Sequence, residues 1–198
     1  MGKISDYFAN IKSPVRKIPF DQRREIIADI TESSSPGFDY FLMVILSTSI
    51  ATLGLITDSP AVIIGAMLVA PLMSPIIGIG LASMIGRRTL LKSALSAVLR
   101  GALLAVGLSI LLTVINSYLP FVSLHELPQE IISRTHPSPI DLMIALAGGI
   151  AAAYSLTEER LSAALPGVAI ATALMPPICT VGIGVALLDW DVAGGAFL

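Results

Sequence analysis

The stretch IIGAMLVAPLMSPIIGIGLA (residues 63–82) carries no formal charge. It is as long as the roughly 20 apolar residues that a helix needs to cross a bilayer. Yet Pro71 and Pro75 stand at its centre. A proline inside a helix removes a backbone donor and clashes with the preceding turn, at a cost of about 3 kcal/mol. Lipid offers the freed backbone groups no water, so a break there is tolerated only against protein or a wet cavity. The stretch therefore predicts a membrane segment whose interruption has a purpose.

The rest of the chain carries the same signature. Of its residues 55% are hydrophobic and 13% charged, and the mean hydropathy is +0.85. The opening stretch belongs to an apolar run over 62–85, and similar runs cover 40–56, 95–115 and 161–188. A shorter run over 140–156 has Asp141 at its edge and is counted as a span because of the repeat described below. The fold class expected is all-α: a polytopic helical membrane protein, with the bilayer as its first partner. Cys179 is the sole cysteine and lies in an apolar run, so it reads as a small buried hydrophobe and no intrachain disulfide is possible. No secretory signal pattern precedes the first span.

Residues 1–37 stand apart from the transmembrane domain over 38–198. FDQRREIIADITESSSPG predicts a short amphipathic helix, with Asp21 as its cap, Ile26, Ile27 and Ile30 on one face, and Ser-Ser-Ser-Pro-Gly as its stop. Lys12, Arg16, Lys17, Arg23 and Arg24 put this segment in the cytoplasm of a cell bounded by an inner membrane. Arg87, Arg88 and Lys92 then return to the same side, whereas the loop over 117–138 is external.

Self-comparison reveals a repeat. Shifted by 100, Leu42, Met43, Leu46, Ile50, Ala51 and Thr57 match Leu142, Met143, Leu146, Ile150, Ala151 and Thr157. Shifted by 102, Gly65, Leu72, Met73, Pro75, Ile76 and Gly80 match Gly167, Leu174, Met175, Pro177, Ile178 and Gly182. The first repeat runs over about 38–116 and the second from 139. Three spans separate equivalent points, so the halves are expected to be inverted, with proline-broken second and fifth helices. DVAGGAFL falls opposite the start of the third helix, so a sixth helix is expected to be cut short, and the chain reads as part of a longer protein.

SPAVIIGAMLVAPLMSPIIGIGLA, the GRR after it and ALPGVAIATALMPPICTVGIGVAL together resemble the bacterial and archaeal "uncharacterised hydrophobic domain" family, domain of unknown function 389. The resemblance covers nearly all of 38–198. It implies a multi-span membrane fold and no particular activity.

The candidate binding residues flank the prolines. They are Pro71, Met73, Ser74 and Pro75 in the first segment, and Thr172, Met175, Pro176, Pro177 and Thr180 in the second. Half-helix ends expose carbonyls and N–H groups that can hold a small solute or ion, with Ser74, Thr172 and Thr180 adding hydroxyls. The bland alternative is a pair of kinks that shape packing. Arg100, Asp58, Asp141 and Glu158 are candidate coupling or gating charges; snorkelling of Arg100 and solvated helix ends for the others are the competing readings. His125 and His136 lack companions at ligand spacing, so no metal is expected, nor a cofactor or a catalytic group. No phosphate loop, HExxH or nucleophile elbow occurs, and no basic tract suggests nucleic acid. Ala97, Gly101 and Ala105, with the glycines and alanines of 147–153, suit close helix packing and homo-oligomerisation. The function expected is a transporter or channel, the alternative being an oligomeric scaffold or signalling anchor.

Overall fold

Turn residues set the helix boundaries. The computed structural model describes residues 20–34, 36–119, 127–136, 138–155 and 164–197. Helix α1 (Phe20–Ser33) stops at the serine run and is followed by Pro36–Gly37. Asp21 lies inside α1, because the helix already begins at Phe20, and so it is not the cap that the sequence predicts. Helix α2 (Phe38–Ile56) ends as Asp58 turns left-handed at φ 51° and Ser59 N–H bonds the Gly54 carbonyl at 2.9 Å. Helix α3 (Pro60–Val69) follows with proline at its first position, where the missing N–H costs nothing.

At Ala70 the chain becomes extended, with ψ 121°. This is the conformation that the ring of Pro71 imposes on the residue before it. Helix α4 (Met73–Ile85) then leaves at 54° to α3. Pro75 is tolerated as the third residue of α4, where no intrahelical donor is lost. Gly86 closes α4 at φ 68°, and the long α5 (Arg88–Tyr118) begins beyond it. After α5 come the single turn α6 (Gln129–Ile132), α7 (Pro139–Ser155), α8 (Ala164–Leu187) and α9 (Trp190–Phe197).

The described chain is all-helical. By length and apolarity α2 and α5 can each cross a membrane, and α3 with α4 makes a third crossing if the bent pair is one span. Helix α7 is a shorter apolar helix, as is the Leu174–Leu187 portion of α8.

The second proline segment departs from expectation, because α8 continues through Pro176 and Pro177 without a break. The aligned sequence explains the difference. At a shift of 102, Pro75 pairs with Pro177, but Pro71 pairs with Ala173. The proline that breaks the first segment has no counterpart in the second. Helix α8 is also the hub of the molecule, packing on α2, α3, α4, α5, α7 and α9. Those neighbours hold it helical although the carbonyls of Thr172 and Ala173 receive no intrahelical donor from the prolines.

Small residues bring the helices close. The Tyr40 hydroxyl crosses from α2 to donate to the Ala97 carbonyl of α5 at 2.9 Å, over the space that Gly101 leaves empty. On α5 the buried line runs Ala94, Ala97, Gly101, Ala105, Ser109 and Thr113. Ser109 donates to the Cys179 carbonyl at 2.8 Å, where a Cβ on Gly182 would meet Ser109 Cβ at 2.6 Å. On α7 only Gly148, Ala152 and Ser155 are buried, a narrower contact than the run of alanines suggests.

Candidate functional site

The break at Pro71 opens into a cleft of about 530 Å³. Glu32, Pro36 and Gly37 line it from the end of α1, Asp39, Tyr40 and Met43 from the start of α2, and Pro71 and Ser74 from the break. The break therefore stands beside the first two turns of α2, towards the α1 end of the molecule. The last carbonyls of α3 and the first N–H groups of α4 end beside the Pro71 wall of the cleft, without helical partners. Behind it the core is dry: Val44, Met67, Leu72 and Met175 are all buried in one hydrophobic cluster. Farther along α2, Leu55 and Ile56 are buried in the same cluster together with Ile63 and Ile131.

The structure divides the predicted binding residues. Pro71 and Ser74 line the cleft, Met73 is half-buried at its edge, and Pro75 is fully buried. Met175, Pro176 and Thr180 are fully buried in α8 and Pro177 is half-buried; none of them borders the cleft. The Thr172 side chain and Glu158 lie outside the described residues. The two segments are nonetheless neighbours, since α8 packs on both α3 and α4.

The predicted charges lie at the periphery. Arg100 is exposed and adjoins Gly101, which packs on Tyr40 in the first turn of α2, so its charge sits near that helix's start. Asp58 is exposed and accepts the Glu130 N–H at 2.9 Å, tying the α2–α3 turn to α6. Asp141 accepts the Ser138 N–H at 2.8 Å and its hydroxyl at 2.9 Å, the carboxylate half of a capping box at the start of α7. Among the described residues no group of three or more His, Cys, Asp or Glu is placed to hold a metal.

Two features escape sequence reasoning. One is the α1 wall of the cleft, which depends on contacts between residues about 40 apart in the chain. The other is a set of buried hydroxyls. Thr48 and Thr52, one turn apart on α2, and Thr180 on α8 are fully buried, and none of their hydroxyls has a hydrogen-bond partner. Thr52 lies against the Cys179 thiol. Leaving a buried hydroxyl without a partner costs about 1–3 kcal/mol. The polar run Ser47-Thr48-Ser49 was the available signal for the α2 pair.

Residues 67–198, which contain both proline segments, match the family described as "Domain of unknown function (DUF389)". The chain belongs to the DUF389 family. An uncharacterised protein of Methanocaldococcus jannaschii is 34% identical over 161 residues, covering 81% of this chain and 48% of its own length. The chain thus spans about half the length of the curated relative it matches. No solved structure matches it. The family match covers the break, the buried threonine of α8 and the cleft residues Pro71 and Ser74; the remaining cleft residues precede it.

Proposed function

We propose that this DUF389 chain moves a small solute or ion across the cell membrane through the cleft at Pro71. The observation that carries the reading is the cleft's placement: its described lining comes from the end of α1, the start of α2 and the Pro71 break itself. A broken helix beside such a cleft places unpaired carbonyls and N–H groups where a partly dehydrated solute can meet them. The carboxylates of Glu32 and Asp39 at the mouth, with no Lys or Arg in the lining, favour a cation.

Alternating access between two inverted halves is the mechanism proposed. Helix ends that match at the shift of 102 support the repeat. Gly86 and Leu188 are both left-handed, Arg87 N–H bonds Ala82 O as Asp189 N–H bonds Gly184 O, and α5 and α9 start at equivalent residues. In this reading the chain is multi-pass and non-enzymatic, with α1 in the cytoplasm and protomers associating through small-residue faces. The test is flux in proteoliposomes. Ser74→Trp fills the cleft and is expected to abolish uptake while the protein remains folded; full uptake would remove the cleft from the pathway.

A second reading, a non-transporting scaffold, is favoured by the apolar filling of Val44, Met67, Leu72 and Met175 behind the break. It predicts no flux of any solute in the unsubstituted protein.

A further inference from the structure

The N-terminal helix is fastened to the broken segment at a single small site. Ser34, the residue after α1, is fully buried. Its single hydroxyl proton is shared between Ile30 O, within its own turn, and the Ser74 carbonyl at 3.0 Å, beside the break. Its side chain occupies the space over Gly78. A Cβ there would collide with the Ser34 hydroxyl, stand 3.0 Å from Ser34 Cβ and 3.3 Å from Ala94 Cβ. Alanine at 78 is therefore excluded unless Ser34 leaves, and Ala94 of α5 closes the pocket from behind.

The position of this contact gives it a consequence. Glu32, two residues before Ser34, and Pro36 and Gly37, just after it, form one wall of the cleft, while Ser74 and Pro71 form the facing wall. Ser34 thus joins the two walls. Among the described side chains of α1, Ile30 is the one buried apolar residue, Ile26 and Ile27 being half-buried. Pro36 and Gly37 connect α1 to α2 and can serve as the hinge.

We propose that Ser34, seated over Gly78 and bonded to the Ser74 carbonyl, is a latch that holds α1 as a movable wall of the cleft. With the latch made, the cleft has its present width. With it broken, α1 swings away about Pro36–Gly37 and exposes the Pro71 break to the aqueous phase. This inference goes beyond the transport reading and does not require it, because the latch governs access whether or not a solute crosses.

The test is the rate at which a membrane-impermeant maleimide modifies Met43→Cys in the full chain in nanodiscs. Met43 lines the cleft, and the native Cys179 is fully buried and supplies a silent background. Ser34→Ala removes the bond with little loss of packing, and Gly78→Ala evicts the side chain. Losing one such bond is expected to raise modification about 2- to 10-fold for Ser34→Ala, and Gly78→Ala is expected to raise it at least as much. Hydrogen exchange over residues 20–34 should quicken in both variants, while α2 and α5 stay protected. Should Gly78→Ala fail to fold, Ser34→Ala decides alone. Unchanged modification and unchanged exchange in folded Ser34→Ala would overturn the latch. Loss of flux in Ser74→Trp leaves this result unaffected, so the two readings fail separately.

Discussion

The three orphaned hydroxyls set the most local test of the molecule. A threonine inside a membrane helix ordinarily bonds its hydroxyl to the carbonyl one turn back, as Thr113 does with Ser109 O at 2.8 Å. Thr48, Thr52 and Thr180 do not. Valine has the same shape without the hydroxyl, so Thr52→Val and Thr180→Val remove the orphan and open no cavity. In the solute-free protein both variants are expected to melt no lower than the parent, with about 1 kcal/mol gained from each hydroxyl removed. If the hydroxyls meet the transported solute, the same variants lose flux at undiminished stability, an outcome that thermal unfolding and proteoliposome uptake can read side by side. The buried state of Cys179 and the polarity of Ser47–Thr52 were legible in the chain. That Thr48, Thr52 and Thr180 lack partners was not, because a side chain's hydrogen bond depends on its rotamer and on neighbours far away in sequence.

Among the elements, the bend of the α3–α4 pair has one nameable cause. Pro71 forces Ala70 out of the helical region, whereas α8, with Ala173 in the equivalent place, runs on unbroken. Replacing Pro71 with alanine restores the N–H and removes the ring clash, so α3 and α4 are expected to approach one continuous helix. Spin labels at the exposed Ile64 and Met84 should then move apart by about 3 Å, the gain from straightening at 1.5 Å per residue. An unchanged distance would assign the 54° bend to the packing of α4 on α5 instead. The prolines announced the broken segment in the sequence. They also suggested a second break that does not form, because Pro176 and Pro177 sit in a helix that six neighbours hold in place.

At the scale of the whole molecule, the described lining of the cleft lies towards the α1 end. The transport reading therefore predicts sidedness: an impermeant thiol reagent modifies Met43→Cys when added on the α1 side of sealed vesicles and not when added on the other. Equal modification from both sides would mean that the cleft is not confined to the α1 side. What the sequence determined is whatever depends on a few adjacent residues. Apolar runs set the all-helical membrane class, Ser-Pro-Gly, Asp58-Ser59-Pro60 and Gly86 set the helix ends, and the prolines set the interruption. Such features follow from backbone sterics and local hydrophobic period, which neighbours within a turn control. The tertiary structure alone decided which faces meet: Ser34 over Gly78, Tyr40 over Gly101, Thr52 facing Cys179, and a cleft between α1 and the break. These contacts join residues tens of positions apart, and apolar packing in a helical bundle selects among many faces of similar composition. No local rule in the chain makes that choice; the fit of small residues against particular side chains does.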